Sequence, residues 1–549
     1  IKIASDKITQ NNDALKTSCK YEYTVSEKDI ISLPNKETRV PYKICSFDIE
    51  ASSSHGDFPV PIKSYKKLAG NILEIYESLQ KENQDMTKNI LTKILKTAFG
   101  YDDYCNVDKV YPKQNPSMIQ LNKMINRLYK ENFSELCKEE DDDSIKIIER
   151  MFEKMHTRGQ GYDEDEDDDA AANASKSHTY AITTSIFDLF TNKTMKREDK
   201  LNELSSCLDN VFPRLEGDKV TFIGSTFLKY GDEKPYLNNC LALGTCDPVS
   251  EIENSEIETY TTEKKLLLAW KNLIEKENPD IIIGYNIFGF DYEFMFRRAE
   301  ENNCVDEFLQ LSRNKNELCG TKNVETGKVD IEESKIVIAS GEHDLRFIKM
   351  TGRLQVDLYN YFRRDYNLTS YKLDYVSGYF IGDKVKSYEH LDYIFTDNGV
   401  NNEDEFIKST KIYSKNLTGL ENGSYVNFEE TSHSTEYYKE GQKCKVFNVD
   451  KESGTFEIVG HESPDMSKQV KWGLAKDDVT PQDIFRMTNE GPSERSIIAK
   501  YCIQDCNLVH HLMNKIDVMT GYVEMAKICS VPINFLVMRG QGIKLTSYI

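Results

Sequence analysis

Three things are missing from this sequence. No apolar stretch approaches the ~18 residues of a membrane-spanning helix. No signal peptide is recognisable, so the Asn-x-Ser/Thr triplets at Asn132 and Asn367 carry no glycosylation meaning. No Cys-x-x-Cys spacing occurs among 13 scattered cysteines. An odd, unpatterned set argues against a disulfide framework and reads as the reduced thiols of an intracellular protein. The first residue is Ile1, as in a fragment or a processed form. What is present is a 549-residue chain, 39% hydrophobic and 11% aromatic, enough for roughly two to four domains with substantial cores. The net charge of −21 disfavours a nucleic-acid binder at first sight. Twelve of the acids, however, lie in two runs, Glu139–Asp143 and Asp163–Asp169. Runs this dense repel themselves and stay solvated, so a basic groove can still exist elsewhere.

The stretch around which the rest is organised is Tyr42–Pro59, YKICSFDIEASSSHGDFP. Ile44, Cys45, Phe47 and Ile49 form a short apolar run that reads as a buried strand, with Asp48 and Glu50 at its C-terminal end. Residues i and i+2 of a strand share a face, so the two carboxylates project together. Adjacent buried like charges need neutralising, and a hard divalent cation does this. A solvated strand end is the plainer alternative, because acid-rich chains contain such triplets by chance.

The remaining chain alternates between α/β segments and insertions. Residues 1–40 read as the end of an upstream domain. Residues 64–216 carry helical spacing in Ile72, Ile75, Tyr76 and Leu79, in Ile90, Leu91, Ile94, Leu95 and Ala98, and in Met118, Leu121, Met124, Ile125 and Leu128. This is a helical insertion with an acidic low-complexity segment near 157–178, expected as a solvent-facing appendage. The α/β pattern resumes with strands at Val220–Leu228 and Cys240–Leu243 and a helix capped by Thr262. In Asn278–Ala299, Ile281–Ile283 is a buried strand and Asp291 opens a helix, either as its cap or as a carboxylate at a strand end, where α/β sheets place ligands. Asn286 and Phe290 offer an amide and a ring to a ligand, or serve as loop structure. Residues 353–380 read as a strand ending at Asp357 and two helices, with Arg363 and Arg364 facing phosphate or water. Residues 386–470 read as a β-rich insertion, and Lys471–Phe485 as the return of the α/β chain. In Gly491–Met513, Ser493 is the expected cap of a helix on which Tyr501 and Asp505, one turn apart, can reach the same site, or are simply a buried Tyr and a surface Asp. Cys502 and Cys506 read as packing residues, and His510 and His511 as ordinary helix residues.

The ordered set Asp48-x-Glu50, Asn286-x-x-x-Phe290-Asp291 and Tyr501-x-x-x-Asp505 resembles the three exonuclease motifs of family B DNA polymerases. The framing segments SFDIE, GYNIFGFDYEF, GRLQVDLYNYFRRDYNLTSYKLDYVSGYF, KWGLAKDDV, AKYCIQDC and MRGQGIK extend the resemblance, which is greatest to the delta-type branch. It covers roughly residues 40–63, 217–385 and 470–549, and the two long insertions suggest a large DNA virus. The resemblance implies an α/β, ribonuclease-H-like exonuclease domain over residues 41–517, with the helical, acidic insertion at about 64–216 and the β-rich one at about 386–470. Residues 518–549 then start a linker toward a palm domain. It implies two divalent ions, Mg2+ or Mn2+, held by Asp48, Glu50, Asp291 and Asp505, with Tyr501 orienting the water or the scissile phosphate. Asn286 and Phe290 are implied to grip the frayed 3′ end. The implied reaction is 3′→5′ release of nucleoside monophosphates from a primer, by two-metal hydrolysis.

The implied partners are a DNA primer-template with its single-stranded 3′ end, the palm, fingers and thumb of the parent polymerase, and a sliding clamp; no membrane is implied. An intracellular location follows, in the host nucleus or a cytoplasmic viral factory. The polymerase-centre signatures, a Ser-Leu-Tyr-Pro-Ser type run and an Asp-Thr-Asp turn, do not occur, so this chain is not expected to polymerise alone. Two other classes stay open: a non-catalytic DNA clamp with an inactive exonuclease domain, and a stand-alone nuclease.

Overall fold

The computed structural model describes residues 2–3, 9–10, 15–33, 36, 40–53, 58–137, 185–324, 326–338, 341–395, 405–476, 479–539 and 542–549. Both acidic runs and the low-complexity segment lie outside these residues. The chain forms two compact units, 1–52 with 220–549, and 53–219.

The first unit is built on a mixed six-stranded sheet. Its strands are β1 (Lys43–Ser52), β2 (Lys219–Lys229), β3 (Leu237–Leu243), β4 (Ser255–Tyr260), β5 (Ile281–Gly284) and β6 (Leu354–Asp357), in the order β6-β5-β1-β2-β3-β4. β6 and β1 run parallel to β5, β4 runs parallel to β3, and β2 is antiparallel to β3. The three central isoleucines of β5, Ile281–Ile283, are buried, as a strand covered on both faces requires. Helix α1 (Glu263–Glu277) is capped by the Thr262 side chain and buries Leu266, Leu267, Trp270 and Ile274. Trp270 packs on Phe47 of β1 with ring centroids 5.1 Å apart and donates its indole N–H to Ser225 Oγ at 3.2 Å. Helix α2 (Asp291–Glu301) follows β5, and β6 leads into α3 (Leu358–Asp365) and α4 (Leu373–Phe380).

The β-rich segment is more regular than its scattered sequence runs suggest. Strands β7 (Gly382–Phe395), β8 (Glu405–Ser414), β9 (Tyr425–Thr431), β10 (Thr435–Tyr437), β11 (Cys444–Asp450), β12 (Thr455–Val459) and β13 (Gln469–Ala475) form one antiparallel sheet. Its order is β10-β9-β11-β12-β8-β7-β13, and a further β9–β13 pairing closes all but β10 into a ring. Closure removes the edge strands an open sheet would expose. Ile412, Val426, Phe428, Val446, Phe456, Ile458 and Trp472 are fully buried within it. The segment from Lys471, expected as the return of the α/β chain, is therefore the closing strand of this ring. Helices resume with α5 (Pro481–Asn489) and α6 (Pro492–Ile516). Pro492 takes the first helical position of α6 and Gly491 its cap, so Ser493 is inside the helix rather than capping it.

The second unit is helical, over Lys66–Lys81, Lys88–Ala98, Met118–Lys130, Phe133–Leu136, Ile186–Thr191 and Arg197–Val211. Leu91, Ile94, Leu95, Leu121, Phe133, Leu189, Leu204 and Leu208 are completely buried in a core of its own. The Ser117 hydroxyl and the Gln120 side chain cap one of these helices reciprocally.

Candidate active site

β1 delivers the first two acids. Ile44, Cys45 and Phe47 anchor the strand in the core, and Asp48 and Glu50 emerge on one face at its end, half-buried. Helix α6 crosses behind them. Its approach is close because Gly224 of β2 has no side chain: a Cβ there would meet Cys502 Sγ at 2.8 Å. The Cys502 thiol in turn donates to the Asp48 carbonyl at 3.6 Å. Cys502 and Cys506 are thus the packing residues expected, and α6 is held in the register that aims Tyr501 and Asp505 at the β1 carboxylates. Asp48, Glu50 and Asp505 each contribute a carboxylate oxygen to a group lying within 4.8 Å of one another.

Asp291 joins from the opposite side. It is the first residue of α2, and instead of capping the helix its Oδ1 accepts the Ile49 N–H at 3.2 Å, between the two β1 acids. The loop that carries it is fixed by a residue the sequence analysis did not select. Asp357, at the end of β6, is buried and accepts the backbone N–H groups of Asn286 (2.8 Å), Phe288 (3.2 Å) and Tyr359 (2.9 Å) and the Asn360 amide (2.9 Å). Asn286 sits at φ 65°, and its carbonyl accepts from Gly289 and Phe290. A Cβ at Gly289 would lie 2.4 Å from Asn286 Oδ1, so glycine there lets the amide fold over the turn. Asn286 and Phe290 are half-buried on the turn that ends at Asp291.

Among the described residues one cation faces the group, and it too was missed. Lys476 follows β13, and its Nζ is 2.5 Å from Asp505 Oδ2 and 2.9 Å from the Tyr501 hydroxyl. The quoted segment KWGLAKDDV contained Lys476, but nothing periodic links a residue leaving a strand to a helix 29 positions later (505 − 476). Burial opposes the ammonium, yet Asp505 and Tyr501 outweigh it and keep Lys476 charged. Burial pushes the Asp48 carboxyl up to about 7, Asp505 adds to this, and Lys476 and the Ile49 N–H oppose it. Glu50 is raised by burial, then by Asp48 and Asp505. Asp291 is raised by burial and then by Asp48. Asp505 is raised by burial, against the pull of Lys476. The Tyr501 phenol is pushed far up by burial and by Asp505, which keeps it a proton donor at neutral pH.

Of two neighbouring expectations, that for Arg364 resolves differently and that for His510 is met. Arg364 neither meets phosphate nor faces water: it is buried and donates to Tyr522 Oη (2.8 Å), the Leu536 carbonyl (2.6 Å) and Asp365. His510 is buried and hydrogen-bonded to the Thr226 carbonyl at 3.1 Å, a core residue of α6.

Among the described residues, four carboxylates against one ammonium leave a charge deficit that a divalent cation matches, and their oxygens suit a hard ion such as magnesium or manganese. The residues present therefore fit such a cofactor.

Comparison with known proteins gives the same direction. The family model described as DNA polymerase family B, exonuclease domain, matches residues 2–157 and 142–376. The DNA polymerase of Phaeocystis pouchetii virus is 42% identical over 565 residues, covering 100% of this chain and 52% of that protein. The DNA polymerase of Pyramimonas orientalis virus is 32% identical over 570 residues, covering 100% of this chain and 40% of that protein. The DNA polymerase delta catalytic subunit of Arabidopsis thaliana is 26% identical over 341 residues, 62% of this chain and 21% of that protein. This chain thus spans about half, or less, of the length of these relatives.

Proposed function

Because this chain belongs to the exonuclease-domain family of family B DNA polymerases, on its viral side, we propose that it carries the proofreading 3′→5′ exonuclease of a replicative DNA-directed DNA polymerase. One observation carries the reading: Asp48, Glu50 and Asp505 converge within 4.8 Å, with Asp291 beside Asp48 and Lys476 paired with Asp505. The exonuclease domain of this reading is ribonuclease-H-like and spans about 41–517.

Asp48, Glu50, Asp291 and Asp505 hold the divalent ions. When bound, these supply charge stabilisation of the attacking and leaving oxygens in an in-line displacement at phosphorus. The rest falls to the chain itself. Lys476 neutralises Asp505 and anchors the Tyr501 hydroxyl, so the phenol is presented as a donor with little freedom to rotate. Tyr501 orients the attacking water or a non-bridging oxygen of the scissile phosphate. Asp357 locks the Asn286–Asp291 turn before substrate arrives, which lowers the ordering cost of binding. Phe290 stacks on the terminal base and Asn286 hydrogen-bonds the terminal nucleotide; stacking is sequence-tolerant, as proofreading requires. Water adds to phosphorus, the 3′ oxygen of the penultimate nucleotide leaves and takes up a proton, and a nucleoside 5′-monophosphate is released. The parent polymerase, the primer-template, the rest of the replicative assembly including a clamp, and an intracellular site of action belong to the same proposal. Among the described residues no helix is long and apolar enough to cross a membrane.

The test is a 5′-labelled primer with a mismatched 3′ end, incubated with the purified chain and magnesium without nucleotides. Stepwise shortening abolished by Asp48→Ala with Glu50→Ala is expected. Shortening that survives the double substitution overturns the assignment. A chain that binds the primer but never shortens it favours the clamp reading.

A further inference from the structure

Helix α4 and strand β13 lie side by side and both end at the carboxylate site. At one end, Asp374 Oδ1 accepts the Lys476 backbone N–H at 2.6 Å, and Lys476 holds Asp505. At the other, Lys471 Nζ donates to the Tyr379 carbonyl at 3.0 Å and stands over the Tyr379 ring, 5.5 Å from its centroid. Tyr375 and Tyr379 stack on each other with centroids 6.3 Å apart, yet Tyr379 leaves 50% of its surface open. Tyr437 of β10 is 42% exposed; its phenol is hydrogen-bonded to Glu429, and Tyr375 and Asp374 are the next neighbours that act on it. The core therefore does not need the outer faces of these rings.

We propose that Tyr375, Tyr379 and Tyr437, with Lys471, form a stacking strip for the single-stranded DNA immediately 5′ of the nucleotide being removed. The inference rests on the exonuclease reading above and extends it to a second binding element. The chemistry suits that occupant: aromatic faces hold bases of any identity, and an adjacent ammonium meets the backbone. The geometry sets which nucleotides are held. From Asp374 to Tyr379 the helix rises about 7.5 Å, at ~1.5 Å per residue. At about 3.4 Å per stacked nucleotide this is roughly two nucleotides upstream of the site. A dinucleotide is too short to reach Tyr379, and a dodecanucleotide covers it.

Steady-state kinetics on the two lengths therefore test the strip. For Tyr379→Ala with Tyr437→Ala, KM for single-stranded dodecanucleotide is expected to rise about tenfold or more with kcat unchanged, while dinucleotide hydrolysis is unaffected. The corresponding double Phe variant, which keeps the rings, restores KM. Unchanged dodecanucleotide kinetics overturn the proposal, as does an equal loss on both lengths or a Phe variant as weak as the Ala variant. The same substitutions in the Asp48→Ala/Glu50→Ala background, read by fluorescence anisotropy of the labelled dodecanucleotide, separate the two readings. Weaker binding there supports the strip even if the wild-type chain never hydrolyses DNA, and unchanged binding sinks it even if hydrolysis is robust.

Discussion

The same domain buries acids in two places and treats them in opposite ways. Glu263, at the start of α1, receives Arg298 Nε at 2.9 Å and Nη2 at 2.7 Å, the Asn302 amide at 2.8 Å and the Val220 N–H at 2.9 Å. Glu293 likewise receives Arg297 at 2.8 Å and Arg346 at 2.7 Å. Each of these carboxylates is paired with a guanidinium at hydrogen-bond distance, the condition under which a buried charge is tolerated. Lys476 pairs with Asp505 and acts on Asp48 and Glu50, and no cation is among the groups that act on Asp291. A chain able to pair Glu263 so completely has left the other four short of positive charge. The contrast separates carboxylates whose charge the fold pairs from carboxylates it leaves short of positive charge.

The largest effect expected is on stability. Arg298→Ala strands a buried Glu263 and costs about 3–5 kcal/mol in urea unfolding. Glu50→Gln in metal-free buffer is neutral or stabilising, because it removes one of several repelling charges. Equal destabilisation by both would erase the distinction. Next comes Lys476→Met, which removes the cation facing the site and the anchor of Tyr501. A drop of about a hundredfold in kcat on saturating primer is expected. An unchanged kcat would mean that Lys476 only balances charge.

The smallest effect is thermal and sets the sign of the site's pH dependence. Without metal, Asp48 titrates in the folded state at about 7, above its unfolded value near 4. Between those values the folded state binds the extra proton, so this group's contribution to stability falls as pH rises from about 4 through 7. His510 is depressed to about 4 by burial, so its contribution runs the other way and is lost as pH falls below about 6.5. The difference in melting temperature with and without magnesium cancels His510 and isolates the carboxylates. That increment should be about 2–4 °C larger at pH 8 than at pH 5. An increment independent of pH would mean that the ion binds elsewhere.

Much of the site was legible because it obeys local periods. The two-residue repeat of β1 puts Asp48 and Glu50 on one face, and the helical repeat of α6 does the same for Tyr501 and Asp505. Asp291 was found, though its role as acceptor of the Ile49 N–H rather than helix cap could not be read from its own segment. Asp357 was visible only as the end of a strand. What it organises lies 71 residues earlier at Asn286, and no local pattern records that pairing. In the insertions, helical spacing located the helices of residues 58–137 correctly, but charge density obscured the core they share.

The sequence by itself determined which segments become strands and helices and which acids stand together on each, because backbone periodicity is a short-range property. Tertiary structure alone decided that β9 and β13 close a ring, that Lys476 leaves this ring beside Asp505, and that Asp357 grips the Asn286 turn. Those contacts join residues tens of positions apart. They form only because buried charges and buried N–H groups must find partners wherever the packed chain brings them.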